Sequence, residues 1–239
     1  MNKIPLILIP GLLCDHGLWE QQLDALAAVA DCLVTEKHMH YETIGQIADA
    51  IVAEAPARFA LSGLSMGGYI ALEICRKYGD RVVGLALLDT SARPDTQEQK
   101  DRRFSMMGLC REQKFNKVVE MLFSVLVHPD RQEDSDLKRR VFDMAARTGP
   151  GVFLRQQCAI MGRIDQRPNL SKITCPTTII CGQQDRITPL DCANEISGKI
   201  VRSNMVSIKE CGHLSTMEKP EEVTKILYQW VKQIKILHQ

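Results

Sequence analysis

The chain has 239 residues, 45% of them hydrophobic and 25% charged, with 30 basic and 29 acidic side chains for a net charge of +1. That is enough apolar chain for one substantial core, and so even a charge balance supplies no bulk field to draw nucleic acid or an anionic membrane. No apolar run reaches the ~18 residues needed to span a bilayer, so the expected partner is a small molecule, with neither nucleic acid nor a membrane span involved.

The first element is "IPLILI" (4–9). Pro5 and Pro10 interrupt the apolar stretch and no small-residue cleavage site follows, so it reads as a buried strand and not as a secretory signal. A helical pattern, "LWEQQLDALAAVA", leads to a second strand, "CLVT" (32–35). A helix, "IGQIADAIVAEA", then precedes the strand "FALSGL" (59–64). "YIALEICRKYG" is again helical, and "VVGLALLD" (82–89) is a fourth strand. Between about 91 and 170 the alternation stops and only helical patterns remain, among them "FNKVVEMLFSVLVH", "SDLKRRVFDMAAR" and "VFLRQQCAIMGRI". Strands resume at "TTIICG" (177–182) and "MVSIKE" (205–210), separated by the helix "LDCANEIS" and followed by "EEVTKILYQWVKQIKIL".

Apolar strands alternating with amphipathic helices specify a mostly parallel sheet covered on both faces, the α/β class. Residues 1–92 and 171–239 form that core, and 93–170 form a helical insert. The nine cysteines are an odd, scattered set without a C-x-x-C pair, so neither a zinc knuckle nor a redox motif is expected. Reduced thiols in core positions fit a cytoplasmic protein. No metal and no cofactor is expected, since "GLSMGG" lacks the lysine of a phosphate loop.

"GLSMGGY" (63–69) joins a strand to a helix through G-x-S-x-G. Such a turn strains the backbone and lifts the Ser65 hydroxyl to the C-terminal edge of the sheet, where open α/β sheets keep their ligand crevices. A serine nucleophile needs a base, and the base an orienting acid. Of six histidines, His213 follows the last strand and lies at the same edge. His16, His38, His40, His128 and His238 have no such placement. Two acids end strands: Asp185 in "CGQQDRITP" and Asp89 in "VVGLALLD". The order Ser, Asp, His favours Asp185, with Asp89 the rival.

With "GLSMGG", "GQQDRITP" and "GHLSTMEKPEE" in this order, the chain resembles the α/β-hydrolase fold family over nearly its whole length. The resemblance implies Ser65 as nucleophile, His213 as general base, Asp185 as its partner, and the insert as a cap over the site. It also implies an oxyanion hole from the backbone amides of Leu12 and Met66. Two departures stand out. The family's oxyanion loop usually begins His-Gly, whereas here it is "IPGLLCD", with Pro10 in place of the histidine. No hairpin precedes the first strand, so a trimmed sheet of about six strands is expected. Within the insert Met106, Met107 and Phe123 are candidates for the wall of an apolar pocket. The activity implied is serine-dependent hydrolysis of a carboxylic ester. The same triad also serves carbon–carbon hydrolases and lyases, and the fold serves slow-turnover ligand sensors.

Overall fold

The computed structural model describes residues 3–237, so His238 lies outside the described residues. Six strands form one sheet: β1 (Ile4–Ile9), β2 (Ala30–Val34), β3 (Phe59–Leu64), β4 (Val82–Leu88), β5 (Thr177–Gly182) and β6 (Ser203–Ile208). Their order is β2-β1-β3-β4-β5-β6, with every adjacent pair parallel. The two edge strands lie about two residues earlier than their apolar runs predict. At an edge the strand is only partly covered, so β2 and β6 each hold a single buried residue among intermediate and exposed ones, unlike the wholly buried β3, β4 and β5.

The pleat divides the core in two. Leu6, Leu8, Ala86 and Leu88 pack on one face beneath α1 (Glu20–Ala27) and α9 (Pro220–Leu237). Ile7, Ile9, Leu85 and Leu87 pack on the other beneath α2 (Ile44–Glu54), α3 (Met66–Tyr78) and α7 (Leu190–Ser197). β1 has β2 on one side and β3 on the other. This reversal of winding opens a crevice at the C-terminal ends of β1 and β3, the usual ligand position in an open parallel sheet.

Between β4 and β5 lie α4 (Gln97–Arg111), α5 (Phe115–Leu126) and α6 (Ser135–Met161). Residues of α4 have no marked apolar periodicity, yet a capping box at its start, Thr96 with Gln99, gives a sequence signal for it. α6 is bent at Gly149, whose φ of 79° interrupts the helical geometry just before Pro150. Its two halves match the two separate helical patterns of the sequence. The insert has an apolar centre of its own, including Met107, Val118, Val119 and Phe153.

Candidate active site

Ser65 adopts φ 56° and ψ −115° at the junction of β3 and α3, a strained conformation for a residue with a Cβ. Four hydrogen bonds hold it there: its N–H donates to Leu88 O (2.9 Å), and its carbonyl accepts from Gly68 N, Tyr69 N and Thr90 Oγ1. Close packing demands the flanking glycines. A Cβ on Gly63 would stand 2.3 Å from Gly67 O, and one on Gly67 would stand 2.1 Å from Ile9 O. Both obstacles are backbone, so neither can move aside cheaply. Gly67→Ala is expected to lower stability by about 1–3 kcal/mol through overpacking. It would also move α3 off the end of β1, with a measurable drop in Tm.

His213 follows β6 and is buried, and its N–H donates to Leu126 O at the end of α5 (2.7 Å). Its Nδ1 lies 2.8 Å from Asp185 Oδ2. Asp185 in turn accepts from Ile187 N and Thr188 N at Oδ1 and from Thr188 Oγ1 at Oδ2. Burial disfavours charge on both groups, but each offsets it for the other. The His213 charge and hydrogen bond hold the Asp185 carboxyl below its ordinary range, and Asp185 holds the His213 ring above its ordinary value.

Asp89 ends β4 nearby with a different task. Its Oδ1 accepts from Gly182 N (2.9 Å) and its Oδ2 from Ser215 N (3.3 Å), tying β4 to both flanking loops. Burial first, and the Asp185 charge second, push its carboxyl well above the usual range. The histidine is therefore bonded to Asp185 and not to the rival acid. Asp89, Cys181 and Asp185 do bring ligand-type atoms within 4.8 Å of one another, a grouping that sequence spacing does not reveal. Their oxygens already accept hydrogen bonds within the protein. Burial keeps the Cys181 thiol protonated, so as donors the three suit a cation poorly.

Ser65 and His213 face one cavity of about 700 Å³. Among the described residues no hydrogen bond joins the serine hydroxyl to the ring, a contact that tightens only with substrate in many unliganded sites. Leu12 lines the cavity too, and a Cβ on Gly11 would lie 3.4 Å from Ser65 Cβ, so the loop after β1 abuts the serine. The amides of Leu12 and Met66 have no hydrogen-bond partner among the described residues. Met106, Leu109, Leu122, Leu126, Val141 and Ile160 give the cavity an apolar wall. Of the three pocket residues expected from sequence, Met106 lies on this wall. Met107 and Phe123 do not: successive helix positions point about 100° apart, which turns Met107 into the insert's own centre. Phe123 packs edge-on against Phe142, ring centroids 5.9 Å apart.

A family model for the α/β hydrolase fold matches residues 40–220. The chain belongs to the α/β-hydrolase fold family. Among curated relatives, 3-oxoadipate enol-lactonase from Acinetobacter baylyi is 22% identical, covering 98% of this chain and 90% of that protein. A pimeloyl-[acyl-carrier protein] methyl ester esterase from Neisseria meningitidis is 26% identical over 79% of this chain and 75% of its own length. Among solved structures, a thermophilic esterase from Thermogutta terrifontis superposes with a TM-score of 0.88 at 27% identity, covering 98% of this chain and 91% of that one. The six-stranded parallel sheet flanked by helices is the α/β-hydrolase architecture, in the trimmed form expected from sequence.

Sequence reasoning missed the residues that brace the site. Glu218 accepts from Gly212 N, Leu214 N and His128 N, lashing the histidine loop to the end of the insert. Thr188 braces Asp185 through both its amide and its hydroxyl. Both lie inside quoted motifs, Glu218 five residues beyond His213 and Thr188 three beyond Asp185. No helix among the described residues is long and apolar enough to cross a membrane.

Proposed function

We propose that the protein is a serine hydrolase that cleaves a carboxylic ester of a small, largely apolar substrate. The observation that carries this reading is the Asp185-braced His213 ring sharing one cavity wall with the strained Ser65. His213 takes the Ser65 proton as Oγ attacks the ester carbonyl, and Asp185 keeps Nδ1–H oriented and stabilises the imidazolium. The Leu12 and Met66 amides receive the oxyanion, each donor contributing roughly 3 kcal/mol. The imidazolium then protonates the departing alcohol, and water, deprotonated by the same ring, releases the acid from the acyl-enzyme. Helices α4–α6 act as the cap and give the pocket its apolar side. The relatives named as esterases and a lactonase support cleavage of an ester C–O bond over a C–C bond.

The ring must be neutral to accept a proton. Burial alone would lower its pKa, but Asp185 raises it above the ordinary 6.5. The expected kcat/KM for nitrophenyl esters therefore falls on acidification, with a limb above 6.5 and not at it. A fluorophosphonate should label the protein at Ser65 alone. A flat acid profile, or no labelling, would sink the proposal.

A further inference from the structure

Pro10 occupies the position of the histidine that usually opens the family's oxyanion loop, which raises the question of what holds residues 11–15 in place. A closed ring of hydrogen bonds does so, drawn from three distant segments. The Leu13 amide donates to Gln156 Oε1 on α6 (3.0 Å), and Gln156 Nε2 donates to the His38 carbonyl (3.4 Å). The His38 ring closes the circuit, its Nε2 lying 2.9 Å from the Cys14 carbonyl. Gln156 and His38 are fully buried. His38 Nδ1 has no partner among the described residues. With the ring neutral, Nε2 carries the proton and donates to Cys14. Burial favours that neutral form.

The ring of bonds bears directly on the reaction centre. Cys14 N donates to the Gly11 carbonyl (3.2 Å). Gly11 C=O and Leu12 N–H belong to one rigid trans peptide and point in opposite directions, so fixing the carbonyl aims the amide. Leu13, at φ 58°, holds a left-handed turn that a leucine does not adopt unaided. Its amide is directed to Gln156. Neighbouring α6 residues reinforce the junction: Arg155 donates twice to Met39 O, and Arg147 pairs with Asp15 at 2.6 Å.

We infer that Gln156 and His38 are positioning residues for the oxyanion hole, taking over the support that the family's histidine would give and linking the insert to the reaction centre through α6. The inference rests on the serine-hydrolase reading. Gln156→Met keeps the side-chain length without the accepting oxygen. His38→Phe removes the donor, and His38→Gln retains an amide nitrogen near the Nε2 position. The probes are a nitrophenyl ester and a trifluoromethyl ketone whose hemiketal oxygen occupies the hole.

For Gln156→Met and His38→Phe the expected result is kcat lower by roughly 10- to 100-fold, part of what a whole donor contributes. KM should stay within about twofold and ketone affinity should fall in parallel with kcat, the signature of an interaction made only in the transition state. His38→Gln should recover most of the loss. Unchanged kcat in Gln156→Met and His38→Gln alongside a folded His38→Phe of parental activity would overturn the inference, as would a rise in KM alone. If His38→Phe does not fold, the kcat and ketone affinity of Gln156→Met decide the matter, parental values of both overturning the inference. A parent enzyme without Ser65-dependent turnover would instead overturn the hydrolase reading itself.

Discussion

Replacing Ser65 with alanine is expected to lower kcat toward a nitrophenyl ester by on the order of 10⁶-fold, the loss seen when a nucleophile is removed from a triad that works as a unit. The fold should survive. Alanine has the same Cβ as serine at φ 56°, and the four hydrogen bonds that hold residue 65 all use its backbone. A second substitution separates strain from chemistry. Ser65→Gly removes the nucleophile just as completely but relieves the left-handed strain, a cost of about 1–3 kcal/mol set against roughly 0.4–1 kcal/mol of added chain entropy. Its Tm is expected to exceed that of the parent. Turnover of Ser65→Ala within about tenfold of the parent would remove Ser65 from the mechanism. A Ser65→Gly protein less stable than Ser65→Ala would show that the elbow is not strained.

Asp185→Asn is the second large effect, a fall in kcat of about 10⁴-fold. The reason lies in the donors crowding this carboxylate. Two amides, those of Ile187 and Thr188, converge on Oδ1, so that position must remain an oxygen. The new NH₂ is thereby forced to the Oδ2 position, facing Thr188 Oγ1 and His213 Nδ1. The threonine hydroxyl can turn to accept. The ring can accept only by shedding the Nδ1 proton, which places its proton on Nε2, where it can no longer take one from Ser65. The loss is therefore one of tautomer as well as charge. With Asp185 neutral, the influence that raises the ring pKa is gone, and the acid limb of residual activity should move to lower pH. Asp89→Asn keeps an oxygen for the Gly182 amide and should spare far more turnover than Asp185→Asn. The reverse ranking would transfer the acid role to Asp89.

Much of this molecule is local in origin and could be read from residue order. Strands β1, β3 and β5 coincide with their apolar runs because a strand buried on both faces needs an unbroken apolar stretch. β2 and β6 begin two residues before their apolar runs because an edge strand mixes polar side chains into the ladder and blurs its ends. α4 is poorly marked for a similar reason. Its residues are polar almost all round, and the Thr96–Gln99 cap is a clearer signal than its periodicity. Residues 106 and 107 of the insert show the limit of such reading. Apolar character marks both, but helical phase places only Met106 on the cavity.

The order of motifs by itself determined the α/β architecture, the helical insert and the candidates Ser65, His213 and Asp185, since periodicity, turn chemistry and strand ends are short-range properties of a chain. Tertiary structure decided which carboxylate meets the imidazole, because Asp89 and Asp185 end adjacent strands and only packing orients their side chains. It also decided what supports the loop that follows β1. Those supports come from residues 38 and 156, more than twenty and more than a hundred positions away, and contacts at such separations are set by how the whole chain packs.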